Sequence, residues 1–158
     1  MGHAARRYID GHLARSGKHT QSICLDSSAL ISYLADDLPR ADVVRFVLAY
    51  SAANFLISTV SLAEAMVRPA SSSDRGIVDQ ALQNLHAIPR LSVLDFDQKH
   101  ALEAAHVSAQ TGLKLPDAAI VATARLAGAR TLIGNDRQWR NMPLGVAFLC
   151  IDDILMTE

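Results

Sequence analysis

Short apolar runs alternate along this chain with longer segments whose apolar residues recur at helical spacing, and that alternation admits few folds. Residues 23–25 read as a short buried strand, and 55–57, 91–94, 131–133 and 146–150 as further strands. Between them, residues 29–34, 43–48, 61–67, 77–85, 98–110 and 117–127 read as helices. Gly112 and Gly128 stand where helices stop, and Pro116 stands where one starts. The segment from Asp117 is apolar almost all round, as a helix buried on most faces would be. Strands separated by helices imply a mainly parallel sheet of about five strands with helices on both faces, a three-layer α/β/α domain. Residues 22–158 fit one such domain, preceded by a basic extension over residues 1–21 that reads as a frayed tail or a short surface helix.

Acidic residues mark four seams of this pattern: Asp26 after the first strand, Glu64 in the helix after the second, Asp117 at the head of the buried helix, and Asp136 after the fourth strand. In a parallel sheet the carboxyl ends of the strands gather at one edge, where ligands bind. Each acid alone has an ordinary explanation. Asp26 suits a helix N-cap. Ser61 and Glu64 have capping-box spacing. Asp117 complements a helix dipole, and Asp136 suits a tight turn. Together they would repel unless a divalent cation joined them, and Mg²⁺ or Mn²⁺ takes oxygen ligands. The four acids are therefore expected to form one metal-dependent site.

Composition narrows the setting. Half of the 158 residues are hydrophobic and the mean hydropathy is +0.16, which excludes disorder for most of the chain. No apolar run approaches the roughly 20 residues of a membrane span. The opening MGHAARRYIDGHLARSG lacks the apolar stretch of a secretory signal, so a cytosolic location is expected. Cys24 and Cys150 lie in apolar runs and read as buried free thiols. The formal net charge is −1, with Arg6, Arg7, Arg15 and Lys18 concentrated ahead of an acidic body. A nucleic-acid partner would have to be met by local cations. Arg68, Arg75, Lys114, Arg137 and Arg140 flank the acidic segments, with Trp139 as a base-stacking candidate or a core cap, and the basic extension is a further candidate contact.

The segments LDSSALISYL, ISTVSLAEAM and LKLPDAAIVATARLAGARTLIGND resemble the PIN domain, the nuclease fold of VapC-type toxins from toxin–antitoxin pairs. The third is the most specific, because its leucine-proline-aspartate start, small-residue helix, glycine stop and following strand keep one order and spacing. The resemblance implies an acidic pocket of Asp26, Glu64, Asp117 and Asp136 that binds Mg²⁺ or Mn²⁺. It further implies RNA endonuclease activity leaving a 5′-phosphate and a 3′-hydroxyl, a cognate antitoxin that blocks the pocket, and a homodimer. The apolar positions of residues 43–50 and 77–85 are candidate surfaces for those protein partners. One departure is visible: the family usually carries Thr or Ser two residues before its last acid, where this chain has Gly134-Asn135-Asp136. Ser28 is the candidate to supply the missing hydroxyl, with Asn135 in support.

Rivals are weaker. There is no His-Glu-x-x-His or Cys-x-x-Cys metal spacing and no Gly-x-x-x-x-Gly-Lys phosphate loop. An aspartyl-phosphate phosphatase would carry a second Asp where this chain has Ser28. An inactive PIN-like binding module is the alternative that Gly134 keeps open.

Overall fold

A computed structural model describes residues 2–13, 21–50 and 53–157. Its five strands are β1 (Gln21–Leu25), β2 (Ala53–Ser58), β3 (Leu91–Leu94), β4 (Thr131–Gly134) and β5 (Ala147–Cys150), in one sheet of order β3-β2-β1-β4-β5. Every pairing is parallel. The helices are α1 (His3–Leu13), α2 (Ser27–Leu34), α3 (Arg40–Leu48), α4 (Thr59–Ala70), α5 (Gly76–His86), α6 (Gln98–Thr111), α7 (Leu115–Leu126) and α8 (Ile151–Leu155). The parallel α/β sheet expected from the alternation is the one observed.

Strand alternation builds the three layers. Ile23 and Leu25 of β1, Phe55 and Ile57 of β2, and Ile133 of β4 point into one core with α1, α2, α3 and α8. Cys24 and Leu132, their neighbours in sequence, point into the opposite core with α6 and α7. The small residues of α7 let it lie close against the sheet, and Ala118 through Ala124 are all buried. Gly112 closes α6 in the left-handed conformation at φ 75°, as a glycine stop allows. Both cysteines are free and buried, and burial pushes the Cys24 thiol up to about 12.

Of the two readings of the N-terminal segment, the short surface helix is the one observed. Residues 3–13 are helical, and Ala5, Ile9 and Leu13 are fully buried in the first core, with Tyr8 packed beside them. Three or four residues apart, they make one apolar stripe on a helix that is polar elsewhere, and the stripe anchors the helix on the core. Arg6 adds a cation–π contact over the Phe46 ring at 5.5 Å, and Gln21 Nε2 donates to the Leu13 carbonyl. Arg15 and Lys18, the rest of the basic extension, lie outside the described residues. No helix among the described residues is long and apolar enough to cross a membrane.

Candidate metal and nucleic-acid site

β1 and β4 are neighbours, and the connections leave them toward opposite sides of the sheet. Such a switch point is where parallel α/β sheets open a crevice. Asp26 sits there. Its backbone N–H donates to the Ile133 carbonyl at 2.8 Å, which carries the β1–β4 ladder one residue past the strand. Its carboxylate caps α2, with Oδ2 accepting from Ser28 N–H at 3.2 Å and from Ser28 Oγ at 2.5 Å. Ser27 Oγ stands 3.4 Å from Oδ1. The cap and the strand-end position thus coincide in one residue. Only 5% of Asp26 is exposed, and burial pushes its carboxyl above the ordinary value. The Ser28 bonds oppose that shift, and the charge of Glu64 adds to it.

Glu64 is placed by α4, and not as a capping box. Ser58, at the end of β2, is the N-cap and accepts from Val60 N–H at 3.1 Å. The helix begins at Thr59, so Ser61 is already inside it and Glu64 lies more than a turn from the start. Glu64 Oε2 is buried without a hydrogen-bond partner among the described residues, as is Ser61 Oγ. A buried carboxylate oxygen left alone calls for a cation or a water.

Asp117 is the third residue of α7, directly after Pro116, and is partly buried. Burial raises its carboxyl above the ordinary value first. The charges of Asp26, Glu64 and Asp136 each raise it further, and Lys114 acts in the opposite direction. Asp136 is exposed and caps the 3₁₀ turn Arg137–Asn141 by accepting from Gln138 N–H at 2.9 Å. The fold therefore brings the four acids, taken from segments far apart in sequence, within electrostatic reach of Asp117.

Among the described residues, no three acidic, histidine or cysteine side chains stand in ready-made coordination geometry. Mg²⁺ does not require such a cage, since it keeps several waters and takes one or two carboxylates. The orphaned Oε2 of Glu64 and the mutual repulsion centred on Asp117 fit a hydrated divalent cation held by hard oxygen donors.

The Gly134 departure has a steric basis. A Cβ added at Gly134 would meet Asp26 Cβ and Oδ2, each at 2.9 Å, closer than real Cβ contacts come. Ser28 Oγ, which donates to Asp26, also accepts from Asn135 N–H at 2.9 Å. Asn135 Oδ1 in turn accepts from Asp152 N–H at 3.2 Å. Asp152 is held by Arg40 at 2.8 Å and by Arg137 at 3.5 Å, and Arg40 draws its carboxyl below the ordinary value. Sequence reasoning did not find Asp152; its only signal was an acid two residues past the last strand.

The cations divide into two groups. Arg137 pairs with Asp152 and Arg140 with Asp153, whereas Arg68, Arg75 and Lys114 are exposed and make no salt bridge among the described residues. Trp139 is the core cap of the two readings offered for it: it is 2% exposed and packs on Phe148 with ring centroids 5.5 Å apart, so no face is open to a base. Beside the acids lies a groove of about 780 Å³ between α2, α4 and α5. Ile31, Val67 and Ile77 line it as exposed apolar side chains, with Glu64 and Arg68 as its charged residues. Of the two expected partner surfaces, α5 contributes to this groove. The α3 face does not, because Val43, Val44 and Val47 are buried in the core.

A family model described as PIN domain matches residues 23–144. No curated protein sequence matches the chain. Among solved structures, the chain is similar to VapBC2 from Rickettsia felis bound to a DNA fragment from their promoter, at 17% identity and a TM-score of 0.64, covering 82% of this chain and 98% of that one. It is similar to a toxin–antitoxin complex from Klebsiella pneumoniae at 22% identity and a TM-score of 0.62, covering 82% and 97%. DNA-bound VapBC from Salmonella typhimurium matches at 22% identity and a TM-score of 0.62, covering 83% and 98%. At these identities the likeness is one of fold.

Proposed function

The chain belongs to the PIN domain family, and from that premise we propose that it is a metal-dependent endoribonuclease, the toxin of a toxin–antitoxin pair. The observation that carries the reading is the buried, unpartnered Oε2 of Glu64 among the described residues, together with Asp26, 5% exposed and bonded to β4 at the switch point; Asp117, raised first by burial and then by the charges of Asp26, Glu64 and Asp136, accords with it. A fold that gathers four carboxylates at the switch point of its sheet, at a cost in mutual repulsion, has a use for a cation there.

Asp26 and Asp117 would hold Mg²⁺ or Mn²⁺, with Glu64 and Asp136 completing the set directly or through water. When bound, the ion would supply Lewis-acid stabilisation of the phosphodiester and make water more acidic. The protein residues do the rest. Asp26 is fixed by its cap and by Ser28, so its carboxylate needs no reordering when substrate arrives. Glu64 offers a buried oxygen whose hydrogen-bonding capacity is unspent. Arg68, which shares a groove with Glu64, and Lys114, whose charge acts on Asp117, are exposed and would pair with the RNA phosphates together with the exposed Arg75, so binding should weaken as salt rises. Hydrolysis would leave a 5′-phosphate and a 3′-hydroxyl.

The partner in this reading is an antitoxin. Three of the similar structures are toxin–antitoxin assemblies, and the apolar groove ending at Glu64 would take an apolar antitoxin segment bearing a cation for the carboxylates. A homodimer belongs to the same reading and is tested by light scattering on the purified chain.

The test of function is cleavage of a mixed structured and single-stranded RNA pool with Mg²⁺, Mn²⁺ or EDTA. Metal-dependent cuts with 5′-phosphate ends, lost in Asp117→Asn, are expected. A folded, antitoxin-free wild type that binds no Mn²⁺ and cuts nothing would favour the inactive binding module.

A further inference from the structure

Gly134 is not glycine for the sake of its backbone. The left-handed glycines among the described residues are Gly112, Gly128 and Gly145, whereas Gly134 is an ordinary member of β4 paired with Cys150. What position 134 lacks is room. The space a side chain would fill is taken by Asp26, whose Cβ and Oδ2 would both stand 2.9 Å from a Cβ there. Asp26 cannot easily yield. Its N–H is bonded to Ile133 O at 2.8 Å, and its Oδ2 receives both the N–H and the hydroxyl of Ser28.

The Ser28 hydroxyl is engaged both as donor and as acceptor. It has one proton, given to Asp26 Oδ2 at 2.5 Å, and its oxygen receives the Asn135 N–H at 2.9 Å. One side chain from α2 thus joins the end of β1 to the loop after β4 and bridges over the glycine between them. The two oxygens of Asp26 are left unequal. Oδ2 takes both the N–H and the hydroxyl of Ser28 and is turned to β4, whereas Oδ1 has no Ser28 bond and lies 3.4 Å from Ser27 Oγ, with the Ser27 backbone N–H also bonding the carboxylate.

We propose that Ser28 is a positioning residue that fixes Asp26 so that Oδ1, and not Oδ2, is the oxygen presented to a divalent cation, and that Gly134 is the space this arrangement requires. The inference rests on the nuclease reading for the identity of the ligand, but the brace itself can be read without metal. Partners that orient a ligating group typically contribute about 10–100-fold to metal affinity.

The experiment is Mn²⁺ titration by calorimetry on wild type, Ser28→Ala, Ser28→Thr, Gly134→Ala and Gly134→Ser, with hydrogen exchange of the Asn135 amide measured in EDTA. Ser28→Ala should weaken Mn²⁺ binding by about 10-fold or more and lower the protection of the Asn135 amide. Ser28→Thr, which keeps the hydroxyl, should restore both. Gly134→Ala should weaken Mn²⁺ binding although Ser28 is intact, and Gly134→Ser should do the same despite bringing a hydroxyl. Unchanged Mn²⁺ affinity in Ser28→Ala, or tighter binding in Gly134→Ser, would overturn the proposal and leave the nuclease reading standing. A wild type that neither binds Mn²⁺ nor cuts RNA would overturn the nuclease reading, and the presentation of Oδ1 to a cation with it.

Discussion

Asn135 accepts the backbone N–H of Asp152 through its side-chain oxygen at 3.2 Å, so the loop that carries Asp136 is tied to the first turn of α8. Because α8 also packs on α1 and α3, the acidic edge of the sheet is coupled to the far end of the first core. Asn135→Ala should cost about 1 kcal/mol of stability, the usual worth of one such bond. It should also reduce RNA cleavage, while Gln138→Ala, which keeps the backbone cap of the same loop, should not. Chemical denaturation and initial cleavage rates measure the two effects.

Asp117→Asn keeps shape and helix start but removes a charge that three other carboxylates oppose. Metal-dependent cleavage should fall by about 10²-fold or more, the scale of losing one electrostatic contact at a reacting centre. In EDTA the same variant should melt at a higher temperature than wild type, because the repulsion is relieved. A lower melting temperature in EDTA would contradict that electrostatic account.

The raised carboxyls of Asp26 and Asp117 give a pH signature. A carboxyl whose native pKa lies above its unfolded value, about 3.9 for Asp, holds its proton more tightly when folded. Its contribution favours the fold at low pH and is lost as pH rises from about 4 through the raised native values. Asp152 runs the other way, because Arg40 lowers its pKa and its contribution is lost on acidification. The difference in stability between wild type and Asp26→Asn, measured without metal, should therefore decline as pH rises through that window. Added Mn²⁺ should reverse the trend. A difference that is flat with pH would count against the shift.

The buried stripe of α1 should be as costly to lose as any core position. Ile9→Ala or Leu13→Ala should destabilise by about 2–5 kcal/mol. Arg6→Ala removes only the cation–π contact to Phe46 and should cost about 0.5–1 kcal/mol. Urea unfolding of the three variants separates a core helix from a peripheral one.

Val67 is 66% exposed on the groove wall. Val67→Asp should change stability by no more than about 0.5 kcal/mol and leave RNA cleavage intact, yet abolish inhibition by the co-expressed antitoxin. Inhibition that survives the substitution would place the antitoxin elsewhere.

Much of the fold was legible because its elements obey simple periods. The runs at 23–25, 55–57 and 131–133 are strands, and the head of α7 is where Pro116 and Asp117 put it. What was hidden depended on tertiary company. Glu64 looked like half of a capping box because Ser61 stands three residues earlier, but Ser58 caps the helix first. Trp139 read more readily as a core cap than as a base platform, and its burial against Phe148 bears out the cap. The stripe of α1 is interleaved with charged residues and histidines, and only its packing shows how firmly the core holds it; α8 is too short for any periodicity. The bond between Ser28 and Asn135 joins positions 107 residues apart, beyond the reach of any local pattern.

The two buried thiols turn the protein into its own unfolding clock. Cys24 of β1 and Cys150 of β5 lie in one sheet with β4 between them, 0% and 3% exposed, and the Cys24 thiol is nearly devoid of nucleophilic thiolate at neutral pH. An alkylating reagent can reach them only when the sheet opens, so the labelling rate reports the opening of the sheet through residues already in the chain, with no engineered tag. Mn²⁺ should slow that clock, and a ligand confined to a remote surface patch without linkage to folding should leave it unchanged.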